Sequence, residues 1–184
     1  MLIFCASGGT ITGMDTEEKK AFYEDATKNL LAQLNTMDLL PDDKQKAIYY
    51  TKLFREAFKY NEIKQYAFIS PESDIWDLGY DSAGFCRISS TVFSIVLGFQ
   101  NWKLMRIEPN VWKGNASHHY LQHVPSGKFF DITYDQFAID GCTVPYKLGV
   151  PAMYRLYPNN DIMRFAKALD IDIIGMLKQT PKRQ

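Results

Sequence analysis

Apolar positions recur at helical spacing over four stretches of the chain. In the first, Phe22, Ala26, Leu30 and Leu34 line one face behind Asp15 or Thr16, which predicts a helix through about Met37. The second begins at Pro41, a good first helical residue, and carries Ala47, Tyr50, Phe54, Ala57 and Phe58. In the third, Phe85, Ile88, Val92, Ile95, Val96 and Phe99 lie between the helix-start residues Asp81 and Ser82 and a stop at Gly98. The β-branched Ile88, Thr91, Val92, Ile95 and Val96 pull this stretch toward strand. Its length decides for a helix with one buried face. The fourth places Ile162, Phe165, Ala166 and Leu169 behind Asn159 or Asn160.

Between Gly98 and the last helix the pattern changes to strands. Residues 102–107 alternate with charges, and 117–124 and 128–133 flank the hairpin signal Pro125-Ser126-Gly127. Residues 144–150 and 152–156 add two candidate strands, and 66–69 another short one before a loop over 70–80. The fold class is therefore α+β: N-terminal helices, then a central helix carrying Cys86 packed on an antiparallel sheet. Residues 1–14 read as a leader and 15–175 as one domain, with a helical part at 15–65 and a core at 76–156. Residues 176–184 read as a basic tail.

Lys plus Arg equal Asp plus Glu at 21 each, so charge gives no reason to expect nucleic acid or an anionic membrane. It favours a protein or peptide substrate. No window approaches the roughly 20 apolar residues of a membrane span. Cys5, Cys86 and Cys142 are too far apart for a CxxC site and read as unlinked. The expected setting is a reducing one, and the chain reads as soluble and cytoplasmic.

Cys86 opens the third apolar stretch. A cysteine in a first helical turn meets backbone N–H groups and the positive end of the helix dipole, which favour a thiolate. All three histidines fall within residues 118–123. On a strand His119 and His123 share a face about 13 Å apart, and His118 points the other way, so a metal site is not expected. No cofactor is expected either. A thiol nucleophile needs a base, and the base needs a group to fix its tautomer. Cys86, a histidine of the cluster and Asp131 supply those roles in chain order.

These residues carry a resemblance. Gly84-Phe-Cys86 ahead of a helix ending Leu97-Gly98, then Ser117-His118-His119-Tyr120-Leu121, then Gly127-Lys-Phe-Phe-Asp131-Ile-Thr133 resembles the transglutaminase-like branch of the papain-like cysteine enzymes. The likeness spans residues 76 to about 140. It implies Cys86 as nucleophile, His118 as base at the His-x-aromatic position, and Asp131 as the orienting acid of an Asp-x-Thr motif. It also implies acyl transfer from an amide through a thioester, to water (peptidase, amidase or deamidase) or to an amine (transglutaminase). Papain-like enzymes place a glutamine oxyanion donor six residues before the cysteine. Here Tyr80 stands there, and Tyr80 or Trp76 could substitute. That departure motivates a second class, a non-catalytic protein-binding module that keeps the fold.

Hairpin parity adds a partly independent constraint. A turn at Ser126-Gly127 puts His118, Tyr120 and Gln122 on one face with Asp131 and Thr133. The same register sets Gln122 opposite Asp131 and Asp135 opposite His118, so Asp135 stays open as the acid. An odd-length loop would favour His119 as the base. Near the N-terminus, residues 7–13 resemble the glycine turn of bacterial L-asparaginases, with Thr10 at the nucleophile position. The family's Gly-Thr-Asp triplet is absent from the chain.

Overall fold

The computed structural model describes residues 14–67, 82, 84–109, 111, 117–139, 141–152 and 160–179. The first helix, α1 (Thr16–Thr36), starts where expected because Asp15 and Glu18 form a reciprocal capping box. It buries Tyr23, Ala26, Leu30 and Leu34, with Tyr23 taking the place expected for Phe22. Helix α2 (Pro41–Ala57) has Pro41 in its first turn and buries Ala47, Thr51, Phe54, Arg55 and Ala57. A short α3 (Asn61–Ala67) occupies part of the segment expected to be a strand at 66–69. Its last carbonyl, on Ala67, accepts from Arg164 at 3.2 Å, so tertiary contact fixes what four apolar residues leave open.

The central helix α4 spans Cys86–Val96, with Phe85 as its N-cap. The side chains of Asp81 and Ser82 were expected to start it. Asp81 lies outside the described residues, and Ser82 directs its hydroxyl to Asp135 instead. Burial also extends beyond one face: all residues from Ile88 to Ile95 are buried. Such a helix must satisfy its hydroxyls internally. Ser89 donates to Phe85 O and Thr91 to Arg87 O, while Ser90 and Ser94 reach across to His119 O and Trp102 O. Cys86, Ser90 and Ser94, four residues apart, thus form the small-residue stripe that lies on the sheet.

The sheet follows. Strand β1 (Trp102–Ile107) pairs antiparallel with β2 (His118–His123), which pairs with the two-residue β3 (Phe129–Phe130). A turn of helix, α5 (Asp135–Ala138), comes next. Residues 144–150, expected to be a strand, instead hold a 3-10 turn at Tyr146–Leu148 and the start of β4 (Val150–Pro151). Residues 153–156 of the other expected strand lie outside the described residues. The sheet order is β3-β2-β1-β4. Helices α6 (Asn160–Ala168) and α7 (Ile173–Gln179) complete an α+β fold. Helix α7 was not expected. Asp172 caps it by accepting from Gly175 N at 2.8 Å, and its course to Gln179 enters the segment read as a tail.

One aromatic chain ties these layers together. Phe58 stacks on Phe85 at 4.6 Å, Phe85 meets Phe165, and Phe165 meets Phe54. Phe54 then meets Phe93, which touches Trp102 and Phe130 of the sheet. The start of α4 is anchored by Phe85, the residue just before the thiol. Among the described residues no helix is long and apolar enough to cross a membrane.

Candidate active site

The stripe on α4 sets where the sulfur lies. Ser90 bonds the carbonyl of His119, and Cys86 sits one turn earlier on the same helix face, beside the first residues of β2. Cys86 is half-buried and is a free thiol. Burial alone would raise its pKa. Hydrogen bonding and positive charge from His118 and then His119 outweigh this and bring the thiol down from 9.0 to about 6.

The two histidines lie on opposite faces of β2. His119 shares the helix-facing side with Leu104, Leu121 and Trp102, by the pairing Arg106↔His119. His118 pairs with Ile107 on the other side, among Tyr120 and Phe137. Both rings lower the thiol, and among the described residues it is His118 that has an acid bonded behind it. Its Nε2 lies 2.6 Å from Asp131 Oδ2, and both side chains are almost fully buried. A carboxylate can only accept, so Nε2 carries the proton and Nδ1 is the nitrogen left for sulfur chemistry. Desolvation disfavours a charged imidazole. Asp131, and then Cys86, outweigh it and raise His118 to about 10.

Asp131 is held by four donors. Oδ1 accepts from Thr133 N at 3.0 Å and Thr133 Oγ1 at 3.1 Å. Oδ2 accepts from His118 and from the Tyr146 hydroxyl at 3.0 Å. Burial and Asp131 together push the Tyr146 phenol far up, so it stays a donor. Tyr120 donates in turn to Tyr146 O at 2.5 Å and fixes the loop that supplies it; burial, then Asp131, raise its own phenol to about 12. Gly149 makes room for this contact: a Cβ there would fall 1.8 Å from the Tyr120 hydroxyl oxygen.

The hairpin keeps the expected parity but not the expected partners. The pairs are Leu121↔Phe130 and Gln122↔Phe129, two residues away from the register that would set Gln122 against Asp131. The strand ends at Phe130, and the chain turns so that Asp131 reaches back to His118. Asp135 does not face His118. It sits in α5 with Oδ1 on Arg55 at 2.5 Å and Oδ2 on the Ser82 hydroxyl at 2.9 Å. His123 lies apart, against Trp102 and bonded through Nδ1 to Ser126. Among the described residues no group of three His, Cys, Asp or Glu side chains could hold a metal ion.

Tyr80, Trp76 and Thr10 lie outside the described residues. Cys142 departs from expectation: it is disulfide-bonded, whereas Cys86 is free. That bond removes the basis for inferring a reducing compartment from unlinked cysteines. Sequence reasoning also missed Tyr146 and Arg55. Arg55 is a lone cation on the apolar face of α2, beside Thr51 and Phe54, and that placement was its available signal.

Set against known proteins, the chain matches no family model, no curated protein and no solved structure.

Proposed function

We propose that the protein is a cysteine-dependent acyl-transfer enzyme that cleaves an amide or peptide bond through a thioester. One observation carries this reading: the imidazole that holds a helix-start thiol well below its ordinary pKa is bonded through Nε2 to a buried carboxylate. The arrangement resembles the transglutaminase-like branch of the papain-like enzymes in residue order and in the roles of Cys86, His118 and Asp131.

The chemistry balances on these groups. The Cys86 thiolate attacks the carbonyl carbon, and the C=O electrons move onto oxygen. The backbone N–H of Cys86, at the start of α4, is the natural donor to that charge. As the tetrahedral adduct collapses, His118 gives its Nδ1 proton to the leaving nitrogen, the C–N bond breaks, and an amine departs. The neutral imidazole then takes a proton from water as that water attacks the thioester, and the thiolate is released. An amine in place of water gives a new amide. Hydrolysis is the favoured outcome, because water is always at hand as the acceptor.

The test is an acyl-enzyme burst. With p-nitrophenyl acetate the protein should release about one equivalent of nitrophenol rapidly and gain an acetyl group on Cys86 by mass spectrometry. Cys86→Ala should abolish both. A burst retained in Cys86→Ala, or none in the parent protein, defeats the reading. Adding a primary amine then separates hydrolysis from transfer.

A further inference from the structure

Asp135, excluded as the acid beside His118, is 4% exposed, yet its carboxylate is paired on both oxygens. Its partner Arg55 is 1% exposed. Arg55 also donates through Nε to Thr27 Oγ1 at 3.0 Å and through Nη2 to Tyr23 O at 3.2 Å, both on α1. Its Nη1 reaches Ile132 O at 3.2 Å, the carbonyl between Asp131 and Thr133. The guanidinium lies 3.7 Å over the Tyr23 ring, and the Tyr23 hydroxyl donates back to Arg55 O. On the other side Ser82, fully buried, leads into the turn before the thiol, where Phe85 N bonds Ser82 O at 3.1 Å.

Burying an arginine and an aspartate costs several kcal/mol for each ion, and apolar residues of similar size are often as stable. Stability alone therefore does not account for this pair. Its geometry has a further consequence. One carboxylate joins the turn that carries Asp131 to the turn that carries Cys86, and a planar guanidinium fixes both against α1 and α2.

Resting on the function proposed above, we infer that Arg55, Asp135 and Ser82 are positioning residues that hold the Cys86 turn and the Asp131 turn at their working separation. The N-terminal helices are then part of the catalytic apparatus and not an appended module. None of the three need touch substrate; they act through Asp131 and the start of α4.

The described charged and titratable groups around the thiol are His118 and His119 on β2, with Asp131, Tyr120 and Tyr146 behind His118. Arg106 lies opposite His119, and Arg87 on α4 is paired with Asp161. Ser82→Ala and Asp135→Asn leave all of these in place.

The experiment reads the pH midpoint of iodoacetamide labelling at Cys86 by mass spectrometry, with thermal melts alongside, on the full chain. The parent midpoint should lie near 6. Asp135→Asn should raise it by about one pH unit and Ser82→Ala by roughly half of that, as the imidazole loses its fixed place beside the sulfur. The double variant Arg55→Met, Asp135→Leu, which swaps the ion pair for apolar packing, should recover melting temperature without recovering the midpoint. Variants that melt lower yet keep the parent midpoint make the network a structural brace only, and overturn the inference. If Asp135→Asn does not fold, Ser82→Ala decides, since it removes one donor and no charge. A parent midpoint near that of an ordinary thiol, about 8.5, would instead reject the proposed function and leave the network a separate matter.

Discussion

His118 Nε2 and Asp131 Oδ2 stand 2.6 Å apart, one at the first residue of β2 and the other at the first residue past β3. The bond decides which imidazole nitrogen is turned to the acid, and so which way the ring can serve the sulfur. Asp131→Asn keeps the shape but presents an amide, which can donate where the imidazole needs an acceptor. The ring then takes the other tautomer and loses the charge that holds it cationic. The expected loss in turnover is about 10⁴-fold, the size seen when such an acid is neutralised in a serine-protease triad. The Cys86 labelling midpoint should rise together with it. Steady-state rates with a nitrophenyl ester, and labelling across pH, check both; a near-normal rate in Asp131→Asn would remove Asp131 from the mechanism.

The two shifted pKa values predict a bell-shaped rate. Below about 6 the thiol is protonated and cannot attack. Above about 10 His118 has lost the proton it must give the leaving amine. Activity should therefore rise with pH through the first value and fall through the second. Labelling speed at pH 7 is a poor test by comparison. A thiol of pKa about 6 is about nine-tenths thiolate there, against about 3% for an ordinary one. Its lower basicity weakens each thiolate by roughly tenfold or more, so the net gain is only about twofold. The midpoint is the informative readout. Without reductant, Cys142 should take no label, because it is in a disulfide.

The separate elements were legible in the sequence where local signals were strong. Asp15 as a cap, Pro41, Gly98 and the alternation after Trp102 placed the starts of α1 and α2, the end of α4 and β1 nearly to the residue. Parity put His118 and Asp131 on a common face without a structure. The register was not legible, because β3 is two residues long and the turn past Phe130, tied by Arg55 to Ile132 O, sets where Asp131 goes. Arg55 comes from 77 residues away in the chain, and no local pattern encodes that contact. Helix α7 escaped for the opposite reason: seven residues with an interior glycine carry too little periodicity.

Tyr146 supplies one of the four donors to Asp131, and Tyr120 holds it there. Tyr146→Phe removes a hydrogen bond to a charged acceptor, a loss of about 1.5–3 kcal/mol where the bond is realised. Turnover should drop by roughly tenfold or more, while stability changes by less than that energy because three donors remain. Gly149→Ala reaches the same place indirectly. Its new methyl would sit inside the Tyr120 hydroxyl, so the phenol must move and release Tyr146 O. The two single variants should depress the rate similarly, and the double variant should be no worse than the weaker one. Additive losses would mean that Gly149 and Tyr146 act separately.

Phe85 is both the N-cap of α4 and a link in the aromatic chain, stacked on Phe58 at 4.6 Å and 5.3 Å from Phe165. Removing its ring leaves a fully buried cavity beside Cys86. Phe85→Ala should cost about 3–5 kcal/mol. At about 2–4 °C per kcal/mol for a chain of this size, the melting temperature should fall by roughly 6–20 °C. Phe165→Ala empties the same cluster from the α6 side and should cost a similar amount. The pair separates anchoring from bulk stability. If Phe85 fixes the sulfur through the first turn of α4, then at a temperature where both variants are folded only Phe85→Ala should raise the labelling midpoint of Cys86. Equal midpoints in the two variants would show that the thiol is placed by the Ser90 and Ser94 contacts with the sheet, and that Phe85 contributes packing alone.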